Sequence, residues 1–427
     1  MINSDLTASP PLETLKHQVR LTILCHRIGP YHFARIRAAA QKFPTTVIEA
    51  FKSDDTYAWD VVEGAEGFTR VTLFGKSTAT PSALLQGIRQ GLDNCRPGAV
   101  AVPGWADVVA FGALQWCGAH AVPAIMMSET TQWDESRRGW KELVKRRLVG
   151  MCAAGLVGGR PHGEYLALLG MPQRNIFQGY DAVDNDHFVR GAAAARKQAQ
   201  EIRSRLELPE NFFLASARFV EKKNLLGLLE AYARYRTLAE KAGKLKSESS
   251  DLRSPTSTPW SLVLLGDGPL RSSILDLRSS LGLDAWVHLP GFKQYGELPA
   301  YYALAKAFIH ASTTEQWGLV VNEAMASGLP VLVSNHCGCA QDLVHEGVNG
   351  FVFDPKDIGQ LASLMQKVSA PEFPLAQGGA ESQRIVSNWG PERFGCGLEE
   401  AVKVSLATPP PAFGLLDRFL LRLLTRI

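Results

Sequence analysis

Two glutamates, Glu315 and Glu323, have seven residues between them in the segment EQWGLVVNEAMASGLPVLV. Gly318 permits a tight turn, the residues after it favour a helix, and Gly328-Leu329-Pro330 ends that helix before a strand. Free amides at the start of a helix favour a phosphate. Carboxylates contact phosphate poorly but accept hydrogen bonds from sugar hydroxyls. The segment therefore predicts a site for a ligand that carries both phosphate and hydroxyl groups.

The elements around this segment are strands and helices in alternation. Short apolar runs such as 21–25 and 99–102 alternate with helical patterns in a first series, and a second series extends from 212 to 333. Such alternation is typical of parallel sheets with right-handed crossovers, so we expect an α/β protein with two parallel-sheet domains. In an open sheet of this kind, ligands bind at the carboxyl ends of the strands. The glutamate segment would lie at such an edge.

The composition limits the kinds of protein to consider. The chain has 427 residues, 46% of them hydrophobic, and its 45 basic and 42 acidic residues give a net charge of +3. This balance is typical of a soluble globular protein and does not favour nucleic acid as a partner. Seven scattered cysteines argue against a disulfide framework and for a reducing compartment. No signal peptide is expected, because residues 1–18 lack an apolar run, and the sequence has no run of the roughly 20 apolar residues that span a bilayer.

Several further motifs occur in order around the two glutamates. With them, residues 205–370 resemble the retaining family 4 glycosyltransferases, which have the GT-B fold of two Rossmann-like domains that face a cleft. The N-terminal half resembles that family by its architecture and by Gly29. The motifs that carry the resemblance are Arg218 with Glu221-Lys222-Lys223-Asn224, Gly266-Asp267-Gly268-Pro269, Gly291-Phe292, the glutamates with Ala324-Met325-Ala326 and Gly328-Leu329-Pro330-Val331, and Gly347 to Phe351.

The resemblance and the composition together set the expected domain plan. The polar, Ser-rich segment 241–259 shows no periodicity and is expected to be a mobile surface insertion in the second domain. The expected parts of the chain are a flexible N-terminus at 1–18, a Rossmann-like acceptor domain at 19–185, a Rossmann-like donor domain at 186–385, a terminal helix at 386–408 that returns to the N-terminal domain, and an amphipathic tail at 409–427.

The resemblance also implies roles for individual residues. Arg218 and Lys223 would be catalytic by binding the leaving diphosphate, whose developing negative charge needs fixed cations, a helix dipole or a metal. Glu315 would be catalytic by its contact with the donor sugar, and Glu323 would bind the ribose hydroxyls of the nucleotide. The co-substrate would be a nucleotide-diphosphate sugar, either a UDP-sugar or a GDP-sugar. The other donor-binding positions would be Gly29, Gly268, Phe292, Trp317, Gly318 and Leu319.

Neither a metal nor another cofactor is expected. The sequence Asp184-Asn185-Asp186 spells the metal-binding D-x-D motif of a different glycosyltransferase fold. It lies, however, in a segment that resembles the interdomain turn of the present family. The cations and the helix dipole would take the place of a metal.

Some positions allow a structural as well as a functional interpretation. Gly29 could serve a turn only, and Phe292 could be a core residue. His32 is a possible donor-side group or an ordinary histidine of the surface or core. Many family members carry a histidine or an acidic pair where this chain has Ser128-Glu129-Thr130. Glu129 is therefore a candidate catalytic residue on the acceptor side.

Two segments bear on contact with a membrane. The sequence WDESRRGWKELVKRRL places Arg137, Arg138, Lys141 and Lys145 on or beside a predicted helix that also carries tryptophan. Helices on anionic headgroups show this pattern, and so do solvated helix faces. The tail is the second segment, and it could pack on the protein or lie on a membrane. Its predicted helix has Leu416, Leu420, Leu423 and Ile427 on one side and Arg418 and Arg422 on the other.

The resemblance thus implies a metal-independent, retaining hexosyltransferase that moves a sugar from a nucleotide-diphosphate sugar to an acceptor hydroxyl. Its product would be a glycolipid or a cell-surface polysaccharide, and it would work in the cytoplasm, where it could lie on the inner face of the membrane. Two alternatives stay open. One is a nucleotide-sugar epimerase or phosphorylase on the same fold. The other is a catalytically silent interaction module that binds no nucleotide.

Overall fold

The computed structural model describes residues 19–53, 59–135, 137–248 and 259–425. The expected flexible N-terminus, 1–18, lies outside these ranges, and so do residues 249–258 of the expected insertion. The first part of that insertion is helical instead of irregular, because the preceding helix continues to Glu248. Its Ala, Lys, Leu and Glu residues are strong helix formers. Adding residues to a helix that has already formed needs no apolar periodicity.

The N-terminal domain is built on a sheet in which, among the described residues, seven parallel strands pair in the order β3-β2-β1-β4-β5-β6-β7. Ile23 in the first strand lies level with Val47 on one side and Ala101 on the other. All five residues of the first strand are buried, because helices cover both faces of the sheet. The strands are β1 (Leu21–Cys25), β2 (Thr45–Ser53), β3 (Thr69–Lys76), β4 (Ala99–Pro103), β5 (Ala124–Ser128), β6 (Ala154–Val157) and β7 (Ile176–Gln178).

The helices of this domain begin at residues suited to helix starts. The Asp107 side chain caps one helix by accepting a hydrogen bond from the Ala110 amide at 2.9 Å. Prolines occupy the first turn of three others, where no amide hydrogen bond is lost. These helices are α1 (Pro30–Ala40), α2 (Pro81–Cys95), α3 (Val108–His120), α4 (Gly139–Val149) and α5 (Arg160–Leu168).

The C-terminal domain repeats the same plan with six parallel strands among the described residues, in the order β10-β9-β8-β11-β12-β13. Its strands are β8 (Phe212–Ser216), β9 (Ser261–Leu265), β10 (Val287–Gly291), β11 (Ala307–His310), β12 (Val331–Ser334) and β13 (Gly350–Phe353). Its helices are α6 (Asn185–Lys197), α7 (Ala199–Arg205), α8 (Leu225–Glu248), α9 (Arg271–Ser280), α10 (Leu298–Leu304), α11 (Leu319–Ala326), α12 (Ala340–Leu343), α13 (Ile358–Ser369) and α14 (Leu375–Val386).

Both sheets reverse their strand order beside the first strand of the series. β1 lies between β2 and β4, and β8 lies between β9 and β11. The connections from neighbouring strands leave in opposite directions at these points, which opens a crevice at the carboxyl edge of each sheet. The two edges face each other, since Tyr31 at the start of α1 contacts Glu323 of α11.

The chain crosses back to the N-terminal domain after α14. A short turn over Ser387–Trp389 leads into helix α15 (Pro391–Ala407), which packs on α1 and on strands β6 and β7. Two glycines of α15 allow this close approach. A Cβ at Gly395 would lie 2.9 Å from the Ala38 carbonyl oxygen, and one at Gly397 would lie 2.5 Å from that of Gln178.

A last helix, α16 (Leu415–Leu424), lies on the N-terminal domain against α3. Phe413, just before it, covers Gly118 so closely that a Cβ there would collide with the ring. Leu421 is buried and Asp417 pairs with Arg147 of α4. Over the described residues, none of the helices combines the length and the apolar character that crossing a bilayer requires.

Candidate active site

Glu315 lies in the loop after β11, in a cluster of polar side chains between the two domains. Its carboxylate forms an ion pair with the Lys223 ammonium. The same oxygen contacts His310 Nε2 at 3.1 Å and accepts a hydrogen bond from Ser312 Oγ at 3.3 Å. The loops after β8 and β11 therefore bring together two of the predicted catalytic residues, Lys223 and Glu315.

This cluster keeps Glu315 ionised. Burial alone would raise the pKa of Glu315, but the hydrogen bond from His310 and the charge of Lys223 outweigh it and hold that pKa well below its usual value. Burial lowers the pKa of His310, so its imidazole is neutral near pH 7. A carboxylate that stays charged is an acceptor of hydrogen bonds from sugar hydroxyls.

Gly318 turns the chain from this cluster into helix α11. Its φ of +103° is left-handed, a conformation that side chains other than glycine rarely adopt. A Cβ at this position would contact both Glu315 and His310 at 3.5 Å. Leu319 is the first residue of the helix, so the helix start faces the cluster with its amides and the positive end of its dipole.

Trp317 contributes to the core through its side chain. The indole is buried, donates a hydrogen bond to Asn322 Oδ1 at 2.8 Å and packs on Trp389 and His162. Only the backbone of Trp317 can take the predicted donor-binding role. The indole instead fixes the turn that leads to Gly318.

The predicted diphosphate and nucleotide residues lie on the neighbouring loops. Arg218 is exposed just beyond β8. Gly268 packs against the loop that follows Arg218, and a Cβ there would come within 2.8 Å of the Phe219 carbonyl oxygen. The need for glycine at Gly268 therefore has a structural explanation in loop packing. Phe292 is 38% exposed after β10, so it is a surface residue rather than a core residue.

Glu323 is in a different environment from Glu315. Its side chain is fully buried and accepts hydrogen bonds from the hydroxyls of Tyr31 and, at 2.6 Å, Tyr302. Burial raises the pKa of Glu323 to about 7, while the two tyrosine hydroxyls oppose that rise. The predicted contact with a ribose requires Tyr31 to move away. The Tyr31 hydroxyl belongs to the N-terminal domain and already donates a hydrogen bond to the Glu323 carboxylate.

The N-terminal side of the cleft has three predicted positions. A Cβ at Gly29 would meet only His32 Nδ1, at 3.9 Å, so packing does not require glycine there and the space before α1 is open. Burial, aided by Arg35, lowers the pKa of His32 to about 3, which leaves a neutral imidazole. Burial raises the pKa of Glu129. The charge of Arg35 opposes this rise, and the charge of Glu315 adds to it. Glu129 and Glu315 are thus close enough to interact across the cleft.

The D-x-D sequence has local structural roles. Asp184 caps α6 by accepting a hydrogen bond from the His187 amide at 3.1 Å, and Asp186 pairs with Arg190 at 2.8 Å. Across the ranges that the structure describes, His, Cys, Asp and Glu side chains form no group of three or more that could hold a metal ion.

Several basic side chains of the predicted basic helix form ion pairs with acidic side chains of the same segment. It begins at Gly139, so Arg137 precedes it. Arg137 and Lys145 both pair with Glu142, at 2.9 and 3.5 Å, and Lys141 pairs with Glu135 at 3.5 Å. Three of the four residues predicted to contact a membrane therefore have acidic partners nearby.

Sequence reasoning missed Tyr31, Tyr302 and His310. His310 ends β11, whose carboxyl end faces the cleft, so its position at a strand end was an available signal. The two tyrosines gave no such signal, because α1, α10 and α11 meet around Glu323 only in the folded chain.

Comparisons with known proteins find similarity over part of the chain. Residues 197–377 match the family described as glycosyl transferases group 1. The chain is 28% identical over 163 residues to alpha-monoglucosyldiacylglycerol synthase of Acholeplasma laidlawii, and 29% over 136 residues to the GDP-mannose-dependent alpha-(1-6)-phosphatidylinositol monomannoside mannosyltransferase of Mycobacterium tuberculosis. These matches cover 38% and 30% of the chain, and 36% and 35% of the relatives, so the chain spans about a third of the length of each.

The fold extends the likeness to both domains. The crystal structure of HepE from Anabaena in complex with UDP superposes with a TM-score of 0.66 at 16% identity, over 90% of this chain and 99% of that one. A likeness at this identity shows the fold. The chain has the GT-B architecture, and the family match together with that architecture supports a group 1 glycosyltransferase.

Proposed function

We propose that the protein transfers a sugar from a nucleotide-diphosphate sugar to an acceptor hydroxyl, with retention of configuration at the anomeric carbon. The observation that carries this proposal is the cluster of Lys223, His310 and ionised Glu315 at the start of α11, opposite the open turn at Gly29. Such a site offers fixed positive charge to a diphosphate and a carboxylate to sugar hydroxyls.

The residues have separate tasks in this reaction. Arg218, Lys223 and the start of α11 stabilise the diphosphate as the bond from the anomeric carbon to its oxygen breaks. Glu315 orients the donor sugar by accepting hydrogen bonds from its hydroxyls. The acceptor oxygen forms its bond on the face that the diphosphate leaves, and its proton passes to the departing phosphate oxygen. Glu129 orients the acceptor hydroxyl.

The donor is a UDP-sugar or a GDP-sugar. HepE of Anabaena was crystallised with UDP, and the mycobacterial relative is named GDP-mannose-dependent, so both bases are represented among similar proteins. The two curated relatives are named for glycolipid and phosphatidylinositol products, which supports a lipid or a cell-surface glycan as acceptor. All seven cysteines are free thiols, which agrees with a reducing cytoplasmic location.

The experiment that tests this proposal begins with the donor. A panel of nucleotide diphosphates is screened for thermal stabilisation, since a ligand at 100 times its dissociation constant adds about 2.7 kcal/mol to stability. The matching nucleotide sugars are then incubated with lipid and glycan acceptors, and the anomeric configuration of the product is read by NMR. An inverted product, or stabilisation by no nucleotide, would contradict the proposal.

Turnover should persist in excess EDTA, because Arg218, Lys223 and the helix dipole supply the positive charge that a metal would otherwise bring. The same assay with added manganese is the comparison. Complete loss of turnover in EDTA that manganese restores would show that the reaction depends on a metal.

A further inference from the structure

Helix α16 exposes a second apolar face to solvent. Its inner face packs on the N-terminal domain through Leu420, Leu421 and Leu424. A surface helix normally turns polar residues outward, but the outer face of α16 does not. Contiguous exposed apolar side chains of this size mark an interaction site. The outer side chains are Leu415, Leu416, Phe419 and Leu423, which are 86%, 66%, 66% and 50% exposed.

Helix α4 adds to this apolar face. Trp140 and Leu143 are 64% and 68% exposed. Trp140 lies three residues before Leu143 and seven before Arg147, so all three share one side of the helix. The Arg147 guanidinium donates a hydrogen bond to the Asp417 carboxylate of α16 at 2.6 Å, so the two helices are joined. The α4–α16 surface consists of Trp140, Leu143, Leu415, Leu416, Phe419 and Leu423.

Basic residues flank the outer face of α16 on one side. Arg418 and Arg422 lie one helical turn apart and are exposed, and among the described residues neither has an acidic partner. Together with Arg89 they line a cavity of about 860 Å³ between α16 and helices α2 and α3. Three guanidinium groups around one cavity are suited to phosphate.

The same cavity offers neutral hydrogen-bonding groups. Gln115 accepts a hydrogen bond from Arg89 at 3.0 Å and donates one to the Thr425 hydroxyl at 3.2 Å. Polar groups of this kind, beside arginines and next to exposed apolar side chains, match the border between a phospholipid headgroup and its acyl chains.

We propose that the α4–α16 surface docks on an anionic phospholipid bilayer. The apolar side chains enter the boundary between headgroups and acyl chains, and the cavity formed by Arg89, Arg418 and Arg422 receives headgroup phosphates. This surface retains the tail, one of the two membrane segments that the sequence predicted. It uses the apolar rather than the basic residues of α4, because most basic residues of α4 pair with acidic neighbours. A second copy of the chain fits less well, since a symmetric contact through α16 would bring arginines of both copies together.

Docking is independent of the proposed transfer reaction and can be measured without donor or acceptor. The full chain is sedimented with vesicles of phosphatidylglycerol and phosphatidylcholine, and with vesicles of phosphatidylcholine alone, at low and high salt. Strong binding is expected only to the anionic vesicles at low salt, because salt screens the arginines.

Two double variants separate the apolar and basic contributions. Arg418→Gln with Arg422→Gln should weaken partitioning to anionic vesicles about thirtyfold at low salt, about fivefold for each residue. Leu416→Gln with Phe419→Gln should weaken it more than about tenfold at either salt concentration, because apolar burial is lost. The matched controls, Arg205→Gln with Lys356→Gln and Leu281→Gln with Val348→Gln, change exposed residues of the other domain and should leave partitioning unchanged.

A second readout places α4 at the bilayer. Brominated lipids should quench the fluorescence of the natural protein more than that of the Trp140→Phe variant. Circular dichroism and the thermal midpoint establish that each variant is folded. Equal partitioning of the natural protein and both double variants would overturn the proposal. Self-association that the Leu416→Gln, Phe419→Gln variant abolishes, without vesicle binding by the natural protein, would assign the surface to a second copy instead.

Discussion

Glu315 and Glu323 look like a matched pair in the sequence but differ in their electrostatic surroundings. Lys223 and His310 hold Glu315 ionised, whereas burial between two tyrosines raises the pKa of Glu323 to about 7. A permanent charge suits a residue near the reacting centre. A carboxyl group whose pKa lies near 7, as that of Glu323 does, is suited to hydrogen bonds with groups whose charge does not change during the reaction.

Removing a cation should slow the chemical step. Arg218→Ala and Lys223→Ala are each expected to lower kcat by a factor on the order of 100 to 1000, with a smaller effect on donor affinity, because charge on the diphosphate grows in the transition state. Steady-state kinetics with the natural donor measures both quantities. Arg205→Ala, an exposed arginine of α7, is the control and should behave like the natural protein. An effect confined to the donor KM would mean that the cations bind ground state and transition state equally.

The pKa of Glu323 predicts a pH dependence of stability. Because the folded pKa lies above the ordinary value of 4.5, the neutral form is favoured in the folded state. Its stabilising effect is complete below pH 4.5 and is lost as the pH rises through about 7. Relative to Glu323→Gln, the natural protein should therefore lose roughly 3 kcal/mol of unfolding free energy between pH 5 and pH 8.

Urea unfolding at several pH values measures this difference. Glu164→Gln is the control, because Glu164 is exposed on α5 and its replacement should give an offset that does not change with pH. If Glu323→Gln also changed the unfolding midpoint by an amount that is the same at every pH, Glu323 would have its ordinary pKa in the folded protein.

The turn at Gly318 positions the start of α11 beside Glu315. The left-handed backbone lets the chain pass from the β11 loop into a helix within one residue. The buried Trp317 anchors this turn from one side and the Glu315 cluster holds it from the other. A small change of backbone here displaces both the helix amides and the carboxylate.

Gly318→Ala should cost about 1 to 2 kcal/mol of stability, because alanine is strained in the left-handed region. It should also lower turnover strongly, since the helix start moves relative to Lys223. Gly282→Ala provides the matched control. Gly282 has a φ of +66° and a Cβ there would meet no atom within 4 Å, so that variant carries the strain without touching the cleft. Equal activity of the Gly318→Ala and Gly282→Ala variants would show that the turn at Gly318 does not contribute to catalysis.

Contacts across the cleft hold the two domains together. Tyr31 of α1 reaches Glu323 of α11, and the Arg160 amide donates a hydrogen bond to Asp342 at 2.9 Å. The Asp60 amide donates to the Gln294 side chain at 3.1 Å. In the proposed reaction, a nucleotide that binds at Glu323 breaks the first of these contacts, which would couple donor affinity to domain closure.

Tyr31→Phe should therefore bind the donor more tightly, by about threefold to tenfold, because one hydrogen bond fewer has to be broken. Calorimetric titration with the nucleotide diphosphate measures the change. Tyr302→Phe is the control: it removes the other hydroxyl at Glu323 but lies in the same domain, so it should bring no such gain. Weaker binding by Tyr31→Phe would show that this hydroxyl contacts the donor itself.

The sequence predicts two parallel-sheet domains well, because the evidence for them is local, and the ordered motifs that resemble family 4 imply the GT-B architecture. Buried strands such as Leu21–Cys25 appear as short apolar runs, and helices between them follow a different periodicity. The resemblance implies the roles of Lys223 and Glu315, and the strand pattern agrees, since each follows a strand whose carboxyl end faces the crevice. The helical start of the segment 241–259 was missed, because a helix that has already formed continues through polar residues.

Tertiary structure alone decided the state and surroundings of those side chains. The pKa difference between Glu315 and Glu323 arises from burial and from partners such as His310 and Tyr31, which come from distant parts of the chain. The apolar outer face of α16 also required the fold, because periodicity shows that a helix has apolar residues but not which of them a neighbouring helix covers. Charge, burial and exposure depend on what lies opposite a residue, and sequence spacing does not contain that information.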